Sequence, residues 1–284
     1  MRCVIKLSIS LVVIVLLCVA APGARQQSPS NVEAIHRPLD QILDLYVRDG
    51  FVYYRALQLE RSRLDRYVSS LNVPEATYAA WSREQQMAFW VNAYNAFVLR
   101  TVIDHYPIRG KSAQYPANSI RQIPGAFEKT KHAAAGRSVT LDEIEKQVLP
   151  PFKEPRLLLA LGRGSVGGGR LRSEAFSADR LDKQLDSVAS DFMTQKELIH
   201  IDRDAGTISV TPIISWREAD FTAAYDPGAT GAFAQRSPVE RALLAFIQPR
   251  LLPLEKDFVQ KNEFRIVFHD YDWRLNDLTG GRVN

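Results

Sequence analysis

Cysteine is almost missing from this chain. There are two among 284 residues, Cys3 and Cys18, both inside the first eighteen positions. Loss of that segment leaves no disulfide and no thiolate, so cysteine chemistry is excluded from whatever remains. Histidine is also sparse. None of His36, His105, His132, His200 and His269 pairs at a spacing of four, and no H-E-x-x-H run occurs, so no zinc site is expected. Charge of one sign is lacking too. Thirty-six basic residues face thirty-two acidic ones, for a formal +4. That excess is too small and too scattered for a nucleic-acid-binding surface. The chain has no repeat at a fixed period and no low-complexity tract.

What is present begins with an export pattern. Arg2 and Lys6 precede the apolar run Leu11–Ala21, and Ala21-Pro22-Gly23 follows with small residues. Eleven apolar residues are short of the ~20 needed to span a bilayer. Residues 1–24 therefore read as a signal peptide, and the protein is expected to be periplasmic or secreted, with no transmembrane segment after cleavage. Leu17 stands before Cys18, where a lipoprotein signal has a small residue, so lipid anchoring is not expected. Residues 25–37 read as a polar linker and 38–284 as a single domain.

Periodicity sets the fold class. Leu39, Ile42, Leu43 and Tyr46 predict an amphipathic helix after Pro38. Leu57 to Leu71 predicts another. Ser82 and Gln85 have capping-box spacing, and the stretch from Met87 to Val102 is apolar almost all round, which predicts one long buried helix. Asn92 and Asn95 share a face of it. Thr140 and Glu143 open a helix to Leu149. Leu157–Leu161 reads as a buried strand, and Ser177 as the cap of the next helix. The runs 198–201 and 207–211, around Asp202–Gly206, form a hairpin signal. Ser237-Pro238 starts a helix and Phe264–Phe268 is a last strand. The expectation is α+β: helices packed around a small, mainly antiparallel sheet.

Several motifs tempt and fail on chemistry. Gly162-Arg-Gly164-Ser-Val-Gly167 has dinucleotide spacing, but no helix opens behind it and no strand-end acid follows about 20 residues on. Gly164–Gly169 has Walker-A glycines, but Arg170-Leu171 replaces the Lys-Ser/Thr pair. Ser165 lacks the preceding glycine of a nucleophile elbow and has no nearby histidine. Asp270, Asp272 and Asp277 are the candidate calcium ligands, but no calcium site is expected, and Asp202 and Asp204 shape a turn. No cofactor is expected.

Four segments resemble one family, the domain of unknown function 547. Ala88-Phe-Trp-Val-Asn-Ala-Tyr-Asn-Ala96, continuing to His105-Tyr-Pro107, is similar to its F-W-I-N-x-Y-N-A signature. Leu141–Glu145 resembles L-D-D-I-E-H. Ser165–Gly167 with Leu171–Phe176 and Leu181–Leu185 resembles C-A-S-x-G-C-P-P-L-R and its following helix. Tyr271–Asn276 resembles Y-D-W-x-L-N, and Trp216, Asp220 and Phe221 fit W-x-x-x-D-F.

The departures bear on function. Against that pattern, Arg163 and Gly168 stand where it has cysteines, Gly169 and Arg170 where it has prolines, and Lys146 where it has histidine. A cysteine and a histidine there would suit thiolate attack on a carbonyl. Arginine stays protonated and is no nucleophile. The expectation is a non-catalytic protein whose Arg163, Arg170 and Lys146 line an anion-binding pocket beside glycine amides, with Asn92 and Asn95 as further candidate ligand contacts or as structural amides. Its partner would be a small anion or an envelope protein. The alternative is a hydrolase or acyl transferase using Ser165 or Lys146.

Overall fold

A computed structural model describes residues 31–279. The expected signal peptide, with both cysteines, and residues 25–30 of the expected linker lie outside the described residues. Helix α1 (Asn31–Tyr46) starts seven residues before the expected boundary and runs through Pro38. Packing overrides the lost N–H bond. His36 is buried with its Nδ1 2.8 Å from the Tyr67 hydroxyl, and Leu39, Ile42 and Leu43 are buried behind it.

Asp49 and Gly50 link strands β1 (Val47–Arg48) and β2 (Phe51–Val52). Their φ values of +51° and +85° are those a two-residue hairpin turn of primed type needs, which Asp-Gly supplies. The expected second helix is two, α2 (Tyr54–Leu59) and α3 (Ser62–Ser70). Helix α4 (Glu75–Ala79) leads to the long helix α5 (Arg83–Asp104).

The capping box of α5 forms as expected. The Gln85 N–H donates to Ser82 Oγ at 3.2 Å, and the Ser82 N–H donates to the Gln85 side chain at 2.9 Å. From Met87 to Ile103 every residue except Arg100 is buried. The Trp90 indole N–H donates to the Tyr78 hydroxyl at 2.7 Å, which satisfies its one polar atom in the core. Helices α1, α2 and α3 pack on α5, so it is the central element of the fold.

Hairpin β3 (His132–Ala134) and β4 (Arg137–Val139) follows. The Thr140–Glu143 capping box forms, but helix α6 (Leu141–Glu143) gives way at once to a π-helical turn, Ile144–Val148. Leu157–Leu161 is not a strand. Helix α7 (Arg156–Leu159) takes most of it. Short all-apolar runs do not distinguish a buried helix from a buried strand, and leucine favours helix where valine or isoleucine would not. Helix α8 (Leu181–Thr194) begins beyond Ser177, whose N–H instead donates to the Gln184 side chain at 2.9 Å.

Strands β5 (Ile199–Asp202) and β6 (Thr207–Val210) form the expected hairpin. Helices α9 (Ile213–Trp216), α10 (Glu218–Tyr225), α11 (Pro238–Ile247) and α12 (Pro253–Lys261) then intervene, so strand β7 (Arg265–Phe268) returns parallel to β6. That crossover makes a parallel pair of strands, beside antiparallel ones. The fold is α+β, with small, mainly antiparallel sheets. No helix among the described residues is long and apolar enough to cross a membrane.

Candidate functional site

The segments that carry the resemblance meet in space. Helix α5 presents Asn92 and Asn95 to the loop between α7 and α8. Asn92 donates to the Phe176 carbonyl at 2.8 Å and accepts from the Phe176 N–H at 2.9 Å. Asn95 donates to the Ala160 carbonyl at 3.1 Å and accepts from the Gly162 N–H at 2.9 Å. Each amide is used on both sides by main chain. Of the two readings left open for them, the geometry supports structural clamps on the glycine-rich loop.

From the far side, residues 272–278 lace the same loop to the β1–β2 hairpin. The Val166 and Gly167 N–H groups donate to the Arg274 and Asp272 carbonyls at 2.9 Å each. The Val52 N–H donates to the Asn276 carbonyl at 2.9 Å, and the Asn276 side chain donates to the Gly50 carbonyl at 2.8 Å.

Arg163 sits at the centre, buried, in the left-handed region at φ +48°. Its Nε and Nη2 donate to the two Glu145 oxygens at 3.1 and 2.7 Å. Its Nη1 donates to the Leu158 and Leu161 carbonyls at 3.1 and 3.3 Å. Burial would push the Glu145 carboxyl up, but the Arg163 charge and hydrogen bonds hold it below the usual carboxylate range. Burial likewise opposes the Arg163 charge, and Glu145 more than restores it. The pair is therefore ionised and mutually satisfied. A clue to it lay in the sequence: an arginine directly behind a wholly apolar run needs a buried acid.

Ser165 is buried, with its Oγ 2.7 Å from the Tyr271 hydroxyl. Burial pushes Tyr271 up to about 12, against the lowering pull of Arg163 and Ser165, so it holds its proton at neutral pH and is no general base. Trp273 and Trp216 flank Tyr271 at ring distances of 4.3 and 5.0 Å. The Arg121 guanidinium lies over Trp273.

The expected cationic pocket of Arg163, Arg170 and Lys146 is not formed. Lys146 is exposed and pairs with Asp142 at 2.5 Å one helical turn back. The helix turns Glu145, not Lys146, toward Arg163. Arg170 lies on the surface and pairs with Asp49 at 2.5 Å. Nor do the glycine amides await an anion. Each N–H from Ser165 to Gly169 already donates to a carbonyl, at 2.9–3.3 Å. The open space lies beside this centre, in a cavity of about 450 Å³ that Ser165, Gly168, Gly169, Arg170, Lys196 and Phe51 help to line. Sequence reasoning missed Glu145 as a partner, missed Asp49 and Lys196, and gave Tyr271, though within a resemblance segment, no place in the site.

Residues 78–193 match a family model described as protein of unknown function, DUF547. No curated protein and no solved structure matches the chain.

Proposed function

Starting from the match of residues 78–193 to the DUF547 family model, we propose that the chain is an exported, non-catalytic member of that family that acts by binding a small anion. One observation carries the non-catalytic reading: the guanidinium of Arg163 fills the centre, locked to both oxygens of Glu145 and to two carbonyls. The resemblance puts a cysteine at this position. A nucleophile needs an available electron pair and a base beside it. Arg163 supplies neither, and Glu145 spends its oxygens on Arg163.

The serine route lacks support for the same reason. The Ser165 hydroxyl has a protonated phenol as its partner, and Lys146 points to Asp142 rather than to Ser165. The test is labelling of the purified chain with a fluorophosphonate probe. No labelling above that of a heat-unfolded control is expected. Stoichiometric labelling that Ser165→Ala abolishes would overturn the reading.

A further inference from the structure

The tip of the β1–β2 hairpin carries Asp49 onto Arg170. Two cavities, of about 450 and 670 Å³, share Asp49, Gly50 and Arg170 in their walls. The Asp49–Arg170 pair thus stands between the two. The larger is lined by more acids than bases, so the smaller, within the size range of small-molecule sites, is the candidate cleft for an anion. The turn fixes this placement. Gly50 lies so close to Arg170 that an added Cβ would come 2.8 Å from its Cγ.

The charges in the smaller cavity are unevenly used. Glu197 lies in the field of Arg274, whose charge it helps to hold. Lys196 is exposed and makes no ion pair among the described residues. Arg170 has a carboxylate partner in Asp49, whose side chain is 88% exposed. A pair so wetted is worth little.

We propose that this cleft binds a small molecule bearing a carboxylate or phosphate, which replaces Asp49 on Arg170 and takes a second cation from Lys196 in the same lining. A planar guanidinium released from Asp49 offers two parallel N–H donors to two ligand oxygens. Since the loop amides are spent internally, the two side chains supply the charge recognition. The proposal rests on the non-catalytic reading in taking the Arg163 centre as closed, so that the ligand sits outside it.

Calorimetric titration of the purified chain at low ionic strength tests it, with inorganic phosphate in one arm and succinate in the other. Saturable binding is expected in at least one arm, and the arm that binds names the ligand class. Arg170→Gln and Lys196→Ala should each weaken binding about tenfold, with melting temperatures checked against the parent. Asp49→Asn keeps a residue tolerant of the left-handed turn and removes the competitor, so affinity should rise ~2- to 5-fold.

Absence of saturation in both arms would overturn the site, as would binding indifferent to Arg170→Gln and Lys196→Ala. An unchanged or weaker affinity in Asp49→Asn would overturn the displacement. None of these results touches the fluorophosphonate experiment, so failure of the cleft and failure of the non-catalytic reading are told apart.

Discussion

Arg163 and Glu145, eighteen residues apart, form a bidentate ion pair inside the core, at 3.1 and 2.7 Å. The pair sits where the chain departs from the pattern it resembles, and it changes what the centre can do. A thiol there would have an electron pair to give. A guanidinium has only donors, and the acid beside it is consumed in accepting them. Removing one partner strands the other charge in a dry site. Arg163→Met should destabilise the protein by ~3–5 kcal/mol in urea unfolding. Arg163→Met with Glu145→Met, which buries no charge, should recover most of that loss. A double variant as unstable as the single would mean that the carbonyl contacts to Leu158 and Leu161, not the ion pair, hold the loop.

Asn92 and Asn95 make a second prediction. Each amide imitates a main-chain partner, donating and accepting at once. Leucine in their place leaves a buried N–H and a buried carbonyl without partners, at ~1–3 kcal/mol for each unsatisfied group. Asn95→Leu should also free the segment on both sides of Leu161. Amide exchange at Gly162 should rise sharply in that variant and stay near the parent's rate in a surface control such as Lys146→Ala. Equal exchange in both would show that the clamp is dispensable.

Some of this was legible beforehand, and the reasons differ by element. Helix α5 was readable because its signals are local: a capping box at Ser82 and Gln85, then apolar residues on all sides. The β5–β6 hairpin was readable from its Asp202–Gly206 turn, where Asp202 accepts from the Asp204 and Ala205 N–H groups at 3.1 and 2.8 Å. The Leu157–Leu161 run was not, because burial on every side erases the period that separates helix from strand. The centre was not legible because its partners are set by the π-helical turn at Ile144–Val148. Which of Glu145 and Lys146 faces Arg163 depends on that turn, not on residue type. Arg170, expected to share a pocket with Arg163 and Lys146, pairs at the surface instead. Its partner Asp49, 121 residues away, left no local trace.

The glycine-rich loop gives a third prediction, about packing rather than ligand approach. A Cβ on Gly169 would lie 1.6 Å from the Leu159 carbonyl oxygen, and one on Gly168 would lie 2.5 Å from the Gly162 carbonyl oxygen. Both obstacles are main chain and cannot swing aside. Gly169→Ala should cost more than ~4 kcal/mol or prevent folding altogether. Gly228 is the comparison. Nothing lies within 4 Å of its added Cβ, and the only penalty is its φ of +85°. Gly228→Ala should cost about 1–2 kcal/mol. Similar melting temperatures for the two variants would remove the steric account.

Acid should weaken the fold well before the carboxylates titrate. Burial pulls His36 down to about 3 from an ordinary value of 6.5. Burial, aided by the Arg100 charge, pulls His132 down to about 4. His36 uses Nδ1 on Tyr67, and His132 stacks on Phe97 at 4.3 Å. In the unfolded chain both rings take a proton near pH 6.5, and in the folded chain they take it only near 3 and 4. Between those limits the unfolded state binds more protons. The stability these rings confer is therefore complete above about pH 6.5 and declines as pH falls, by up to ~1.4 kcal/mol per pH unit for each ring. Glu145, whose carboxyl is held low, adds its own loss as pH falls through its ordinary value of 4.5, with little effect above about pH 5.5. Urea unfolding from pH 7 to 5.5 isolates the histidines. Its slope should approach two protons at the acid end and fall by about one in His36→Gln, which cannot titrate. A profile flat over that interval, or one that His36→Gln leaves unchanged, would show that His36 accepts its proton without unfolding.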